Sequence, residues 1–155
     1  MPDRTALEQT VHSLYAARDA NDLEAMLACL HPTFSFRIVG SGRLGAMTQK
    51  VSNPEAVRSA FRGLVDAWDL SQMKTVQLDV DGNTVYAHRV GPIRFVPSDT
   101  WFDTEILDRF SFSDDRMADL TEFVDTLLVA ETVGLVAMPA IAVDYSSSTR
   151  DSISL

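Results

Sequence analysis

The chain has 155 residues, the size of one ordinary domain. Apolar residues make up 46%, which excludes an intrinsically disordered chain and suffices for one packed core. With 13 basic against 22 acidic residues the net charge is −9, a surface that repels phosphate backbones and anionic lipid, so no nucleic acid and no membrane is an expected partner.

No apolar run approaches the ~20 residues that span a bilayer. Met1 to Thr10 is polar and runs straight into a helix signal, so no secretory leader is expected. Cys29 stands alone, which precludes an internal disulfide, offers no metal spacing and fits a reducing, cytoplasmic setting.

Thr5-Ala-Leu-Glu8 reads as a capping box, and Leu7, Val11, Leu14, Tyr15 and Arg18 follow at helical spacing, predicting a helix over about 5–20. Asn21-Asp22 caps a second, shorter helix carrying Leu23, Met26, Leu27 and Leu30, with Pro32 as its stop. Phe34, Phe36 and Ile38 alternate as a strand, and a glycine-marked loop runs to Val51. Ser52-Asn53-Pro54-Glu55 opens a third helix whose stripe is Val57, Phe61, Leu64, Val65 and Trp68.

The period then changes to two. Val76, Leu78 and Val80 share one side of a strand, and Asp81-Gly82-Asn83 turns the chain. A long strand from Thr84 to about Phe95 is expected to bulge or bend at Gly91-Pro92. Strands over 100–113 and 117–125 follow, then a short apolar helix to Val133 ending at Gly134. We expect a single domain over residues 1–136 and a tail over 137–155. Helices first and consecutive strands afterwards make the class α+β.

Strand 100–113 carries the most chemical information. Phe102, Ile106, Asp108, Phe110 and Phe112 share a face, and a carboxyl among apolar neighbours is costly unless paired, hydrogen-bonded or protonated. Asp108 is therefore the first candidate site residue. Glu122 sits likewise between Leu120 and Val124, although periodicity leaves open which face of that strand is inward. His88 groups with Tyr86 and Val90 and is a pH-poised candidate base. His12 and His31 read as surface or capping residues. There is no zinc spacing, phosphate loop or nucleophile elbow.

Three stretches resemble the NTF2-like superfamily, specifically its SnoaL-like bacterial members. They are Tyr15-Ala-Ala-Arg-Asp-Ala-Asn-Asp-Leu23, Ile106-Leu-Asp-Arg-Phe-Ser-Phe112 and Leu120-Thr-Glu-Phe-Val-Asp-Thr126. The resemblance implies a cone: a curved antiparallel sheet wrapped around three helices from the first half of the chain, often a homodimer. It turns His88, Asp108 and Glu122 toward the cavity as a candidate catalytic set. Leu14, Tyr15, Phe36, Ile38, Phe61, Val90, Ile106, Phe110 and Leu120 become the lining of a pocket for a small hydrophobic molecule.

Ketosteroid isomerases, polyketide cyclases and epoxide hydrolases share this cone with proteins that only bind. Asp108 matches the isomerase's hydrogen-bonding Asp, but Ile38 stands where its base is expected and Leu14 where its tyrosine is, with Tyr15 about 100° further around the helix. Of the epoxide hydrolase's Asp-Arg-Asp set, Arg89 or Arg94 is the nearest arginine. The expectation is a small-molecule-binding protein, or alternatively an isomerase, cyclase or hydrolase working by acid/base chemistry with no cofactor.

Overall fold

The computed structural model describes residues 3–137. The tail expected over 137–155 lies outside them, apart from its first residue. Helices α1 (Arg4–Asp19) and α2 (Leu23–Ala28) form a hairpin. Strand β1 (Leu30–Ile38) and α3 (Pro54–Ala67) come next, followed by β2 (Trp68–Asp69), β3 (Lys74–Asp81), β4 (Thr84–Phe95), β5 (Thr100–Ser113), β6 (Arg116–Phe123) and α4 (Thr126–Thr132).

Local chemistry sets the helix starts. Asp3, two residues earlier than the expected capping box, accepts from the Thr5 amide and caps α1. Asp22 caps α2, and Asn53 caps α3 with Pro54 directly behind it. Pro32 does not stop α2. The helix has already ended at Ala28, and Pro32 lies within β1, an edge strand where a missing N–H is tolerated.

The strands form one six-stranded sheet in the order β1-β6-β5-β4, with β4 pairing β3 along one half and β2 along the other. All pairs are antiparallel except β1 with β6. That parallel edge pair is the exception within an antiparallel-dominated sheet. It arises because the chain crosses over through α3 before the meander begins.

At Gly91-Pro92, where a bulge or bend is expected, there is no bulge in the pairing with β5 and the strand changes its other partner. β4 keeps unbroken register with β5 there, while its other edge passes from β3 to β2. Gly91 has φ of 143°, and a Cβ there would sit 3.1 Å from Gln72 O and Met73 Cα. A bulge does occur at Val76 in β3, which throws that side chain out to 58% exposure and breaks its expected grouping with Leu78 and Val80.

The sheet curls over α1 and α3. Leu7, Val11, Phe61, Val85, Phe110 and Met117 fill the closed end. A second apolar cluster around Trp68, Leu70, Ile93, Ile106 and Val129 lines the other end. No helix among the described residues is long and apolar enough to cross a membrane.

Candidate functional site

Directly paired residues on antiparallel strands share a face. Asp108 pairs with Ala87 on one side and Glu122 on the other, and Arg89 pairs with Ile106. Asp108, Glu122, Ala87, Arg89 and Ile106 therefore all point into the cone. The floor opposite them is α1, whose Tyr15 hydroxyl donates to Asp108 Oδ2 at 2.7 Å. Leu14, which occupies the expected tyrosine position, is a wall residue. Tyr15 reaches the carboxyl from one position along.

Two arginines enter the same space. Arg89 is 2% exposed, lies 4.4 Å over the Tyr15 ring, and donates from Nη2 to both Asp19 carboxylate oxygens at 2.9 and 3.0 Å. Arg18 is buried and donates to the carbonyls of Leu64 (3.1 Å) and Trp68 (2.5 Å) and to Asn21 Oδ1. Sequence reasoning put Arg89 only in an epoxide-hydrolase context and gave Arg18 no role beyond its helix. An arginine in a buried stripe was the available signal.

The cavity has two chambers sharing walls at Arg18, Leu64, Leu70, Ile106 and Glu122. The inner one is lined by Tyr15, Arg89, Asp108, Phe36, Phe61 and Leu120 among others. The outer one is mainly apolar, with Ile38, Trp68, Phe102 and Val129 on its walls.

Of the expected lining, Leu14, Tyr15, Phe36, Phe61, Ile106 and Leu120 face the inner chamber and Ile38 the outer. Phe110 lies fully buried behind it, its ring edge-on to Tyr15 at 5.9 Å. His88 and Val90 do not join them. His88 pairs with Leu107 and Val90 with Glu105, so both project from the outer face, where His88 Nε2 meets Glu105 Oε2 at 2.9 Å. The cause is parity: an inward Asp108 makes the odd positions of β4 inward up to Arg89. Among the described residues no group of three His, Cys, Asp or Glu is placed to hold a metal ion.

Burial is the main force on Tyr15, Arg18, Asp108 and Glu122. It pushes Glu122 up to about 8, and the charge of Asp108 adds to the rise. It pushes Asp108 to about 6, against the pull of the Tyr15 hydrogen bond and the Arg89 charge. Both carboxyls are thus held toward their protonated forms, Glu122 further than Asp108. Tyr15 is pushed far above its ordinary value by burial and then by Asp108, so its hydroxyl stays a donor. Burial lowers Arg18, while Glu122 and Asp19 oppose the shift.

Two expectations follow from this arrangement. A carboxyl raised by folding binds its proton more tightly in the folded state. The stability it contributes is full below about pH 4.5, the ordinary Glu value, and is lost as pH rises through about 8. Urea melts from pH 5 to 8 should show stability falling, by up to about 1.4 kcal/mol per pH unit for one proton. Glu122→Gln should flatten that fall. Tyr15→Phe bares Asp108 Oδ2 and should cost about 1–3 kcal/mol. It should also move the Asp108 carboxyl titration further up, as read by carbon-13 NMR.

The SnoaL-like domain family matches residues 11–120. The chain belongs to this family. Solved structures agree on the fold. An NTF2-like protein of unknown function from Burkholderia pseudomallei is 16% identical, with 81% of this chain and 95% of that one covered at a TM-score of 0.71. A putative SnoaL-like polyketide cyclase from Jannaschia sp. is also 16% identical, with 88% and 100% covered at 0.70. An LEH-like epoxide hydrolase from M. tuberculosis is 17% identical, with 86% and 99% covered at 0.65. No curated protein matches the sequence. The curled α+β cone is thus the SnoaL-like, NTF2-like fold, as the three sequence stretches implied, and a fold shared this widely does not fix an activity.

Proposed function

We propose that this SnoaL-like protein is an acid/base enzyme that holds a small hydrophobic molecule in its cone and moves a proton on it. The observation that carries the reading is the facing pair Asp108 and Glu122 at the base of an apolar-walled cavity, both raised by burial and Glu122 the further. Two neighbouring carboxyls whose surroundings raise them unequally are suited to the base and acid roles of one reaction. Asp108 Oδ1 takes a proton from a carbon or hydroxyl beside a carbonyl. Glu122 gives its proton to another atom of the same molecule, and exchange with solvent through the mouth resets the pair. Such a transfer serves an isomerase, a cyclase or a hydrolase and calls on no cofactor.

The competing reading is a binding module. It is favoured by Tyr15 already occupying Asp108 Oδ2 and by the outward His88. Deuterium exchange at the carbon next to the carbonyl of 1,2-diphenylethanone, followed by proton NMR in D2O, separates the two. The enzyme reading expects exchange faster than in buffer and dependent on Asp108. A protein that binds the ketone without exchanging it is a binding module.

A homodimer is also part of the proposal. Tyr86, Trp101, Leu107 and Phe123 stand exposed on the outer face of β4, β5 and β6, where a second copy would cover them. Light scattering at micromolar protein tests it, and a monomeric mass rejects it.

A further inference from the structure

Three buried polar atoms of the inner chamber's walls meet no protein partner: Asp108 Oδ1, Arg89 Nε and Arg89 Nη1. Both residues are almost fully enclosed, at 3% and 2% exposure. Tyr15 and Asp19 satisfy the other atoms of each group, so the three that are left present one acceptor and one set of N–H donors. Because Arg89 pairs with Ile106 and Asp108 with Ala87, the two side chains are diagonal neighbours on adjacent strands, within reach of a single small group. Buried groups of this kind discriminate strongly, because a guest that fails to pair them leaves the desolvation cost unmet.

Charge narrows the guest further. Arg89 is paired with Asp19, while Arg18 is held only by carbonyl and amide oxygens. Both guanidinium groups already stand beside carboxyl groups, Arg89 beside Asp19 and Asp108, Arg18 beside Asp19, Asp69 and Glu122. An acidic or amino head would therefore bring an uncompensated charge into a low-dielectric space.

We propose that the inner chamber takes a neutral molecule bearing a hydroxyl beside a carbonyl, the hydroxyl donating to Asp108 Oδ1 and the carbonyl accepting from Arg89, with an apolar body extending past Ile106 toward Trp68 and Phe102. This rests on the cavity being a ligand site, and it makes Arg89 a specificity-determining residue. It also places an acidic O–H on the oxygen assigned as base.

Four probes with matched diphenyl bodies test it on the full chain by calorimetry: benzoin, 1,2-diphenylethanone (no hydroxyl), 1,2-diphenylethanol (no carbonyl) and diphenylacetate (an acid). Benzoin is expected to bind at least about tenfold tighter than either compound lacking one group, with diphenylacetate weakest. Adding benzoin should also shift the Arg89 side-chain Nε–H resonance, a readout on unaltered protein that does not depend on a variant folding. Equal affinities for benzoin, the ketone and the alcohol would overturn the inference, as would tightest binding of diphenylacetate or an unmoved Arg89 resonance. Each of these leaves the cavity's role as a ligand site standing. Failure of all four to bind removes that role and the inference together.

Discussion

Asp108→Asn is expected to reduce catalysed proton exchange by about 10²–10⁴-fold while leaving the protein at least as stable as the parent. The amide matches the carboxylate in shape, and its oxygen can still accept from the Tyr15 hydroxyl, so the α1 contact survives. What disappears is the basic Oδ1, and with it the group that takes the proton. The carboxylate is 3% exposed, and burial already pushes it toward its protonated form. Removing its charge therefore relieves a cost of folding at pH 8. Exchange rates and urea midpoints measured on the same preparations decide the matter. A variant that loses activity and stability together would make Asp108 a structural residue and sink its catalytic role.

Asp19→Ala should be among the most destabilising single changes in the chain. Among the described residues it removes the only carboxylate hydrogen-bonded to Arg89 and strands a guanidinium beneath the sheet with Met73 O as its remaining hydrogen-bond acceptor. Breaking a buried pair from one side costs about 3–5 kcal/mol, which for a chain of this size lowers Tm by about 6–20 °C. Asp19→Ala combined with Arg89→Leu should recover much of the loss, because no unpaired charge then remains. Removing Glu8, the partner of Arg4 in an exposed pair on the same helix, should hardly move the melting curve. A single variant no worse than that control would mean solvent reaches Arg89.

The likeness to the SnoaL-like family was legible in three short stretches, and the buried carboxyl could be read from alternation alone. Phe102, Ile106, Phe110 and Phe112 mark a core face, so Asp108 between them had to be inward wherever the strand lay. His88 shows where that reasoning stops. Its strand alternates Val85, Ala87 and Arg89 against Tyr86, His88 and Val90, and both sets contain apolar and polar members. Only the pairing of Ala87 with Asp108 decides between them. Had parity been counted across the Val96–Asp99 turn, the arginine would have displaced the histidine as the cavity residue.

Arg18 was hidden differently. It falls on the buried stripe of α1, but its partners are main-chain carbonyls at the end of α3, and no side-chain pattern announces a carbonyl. Glu122 stood between those cases, facing inward only once the β5–β6 register set it opposite Asp108.

By itself the sequence determined what depends on near neighbours along the chain: the helix starts at Asp22 and Asn53, the switch from a period of 3.6 to one of 2, the turn at Gly82, and an acid too costly to leave unpaired among phenylalanines. Tertiary structure alone decided which charged groups meet. Register between strands and the approach of α1 to the sheet are set by packing over the whole domain, and a one-residue slip would reverse every side chain on a strand. The joining of Tyr15, Arg89, Asp108 and Glu122 in one chamber is a property of that packing.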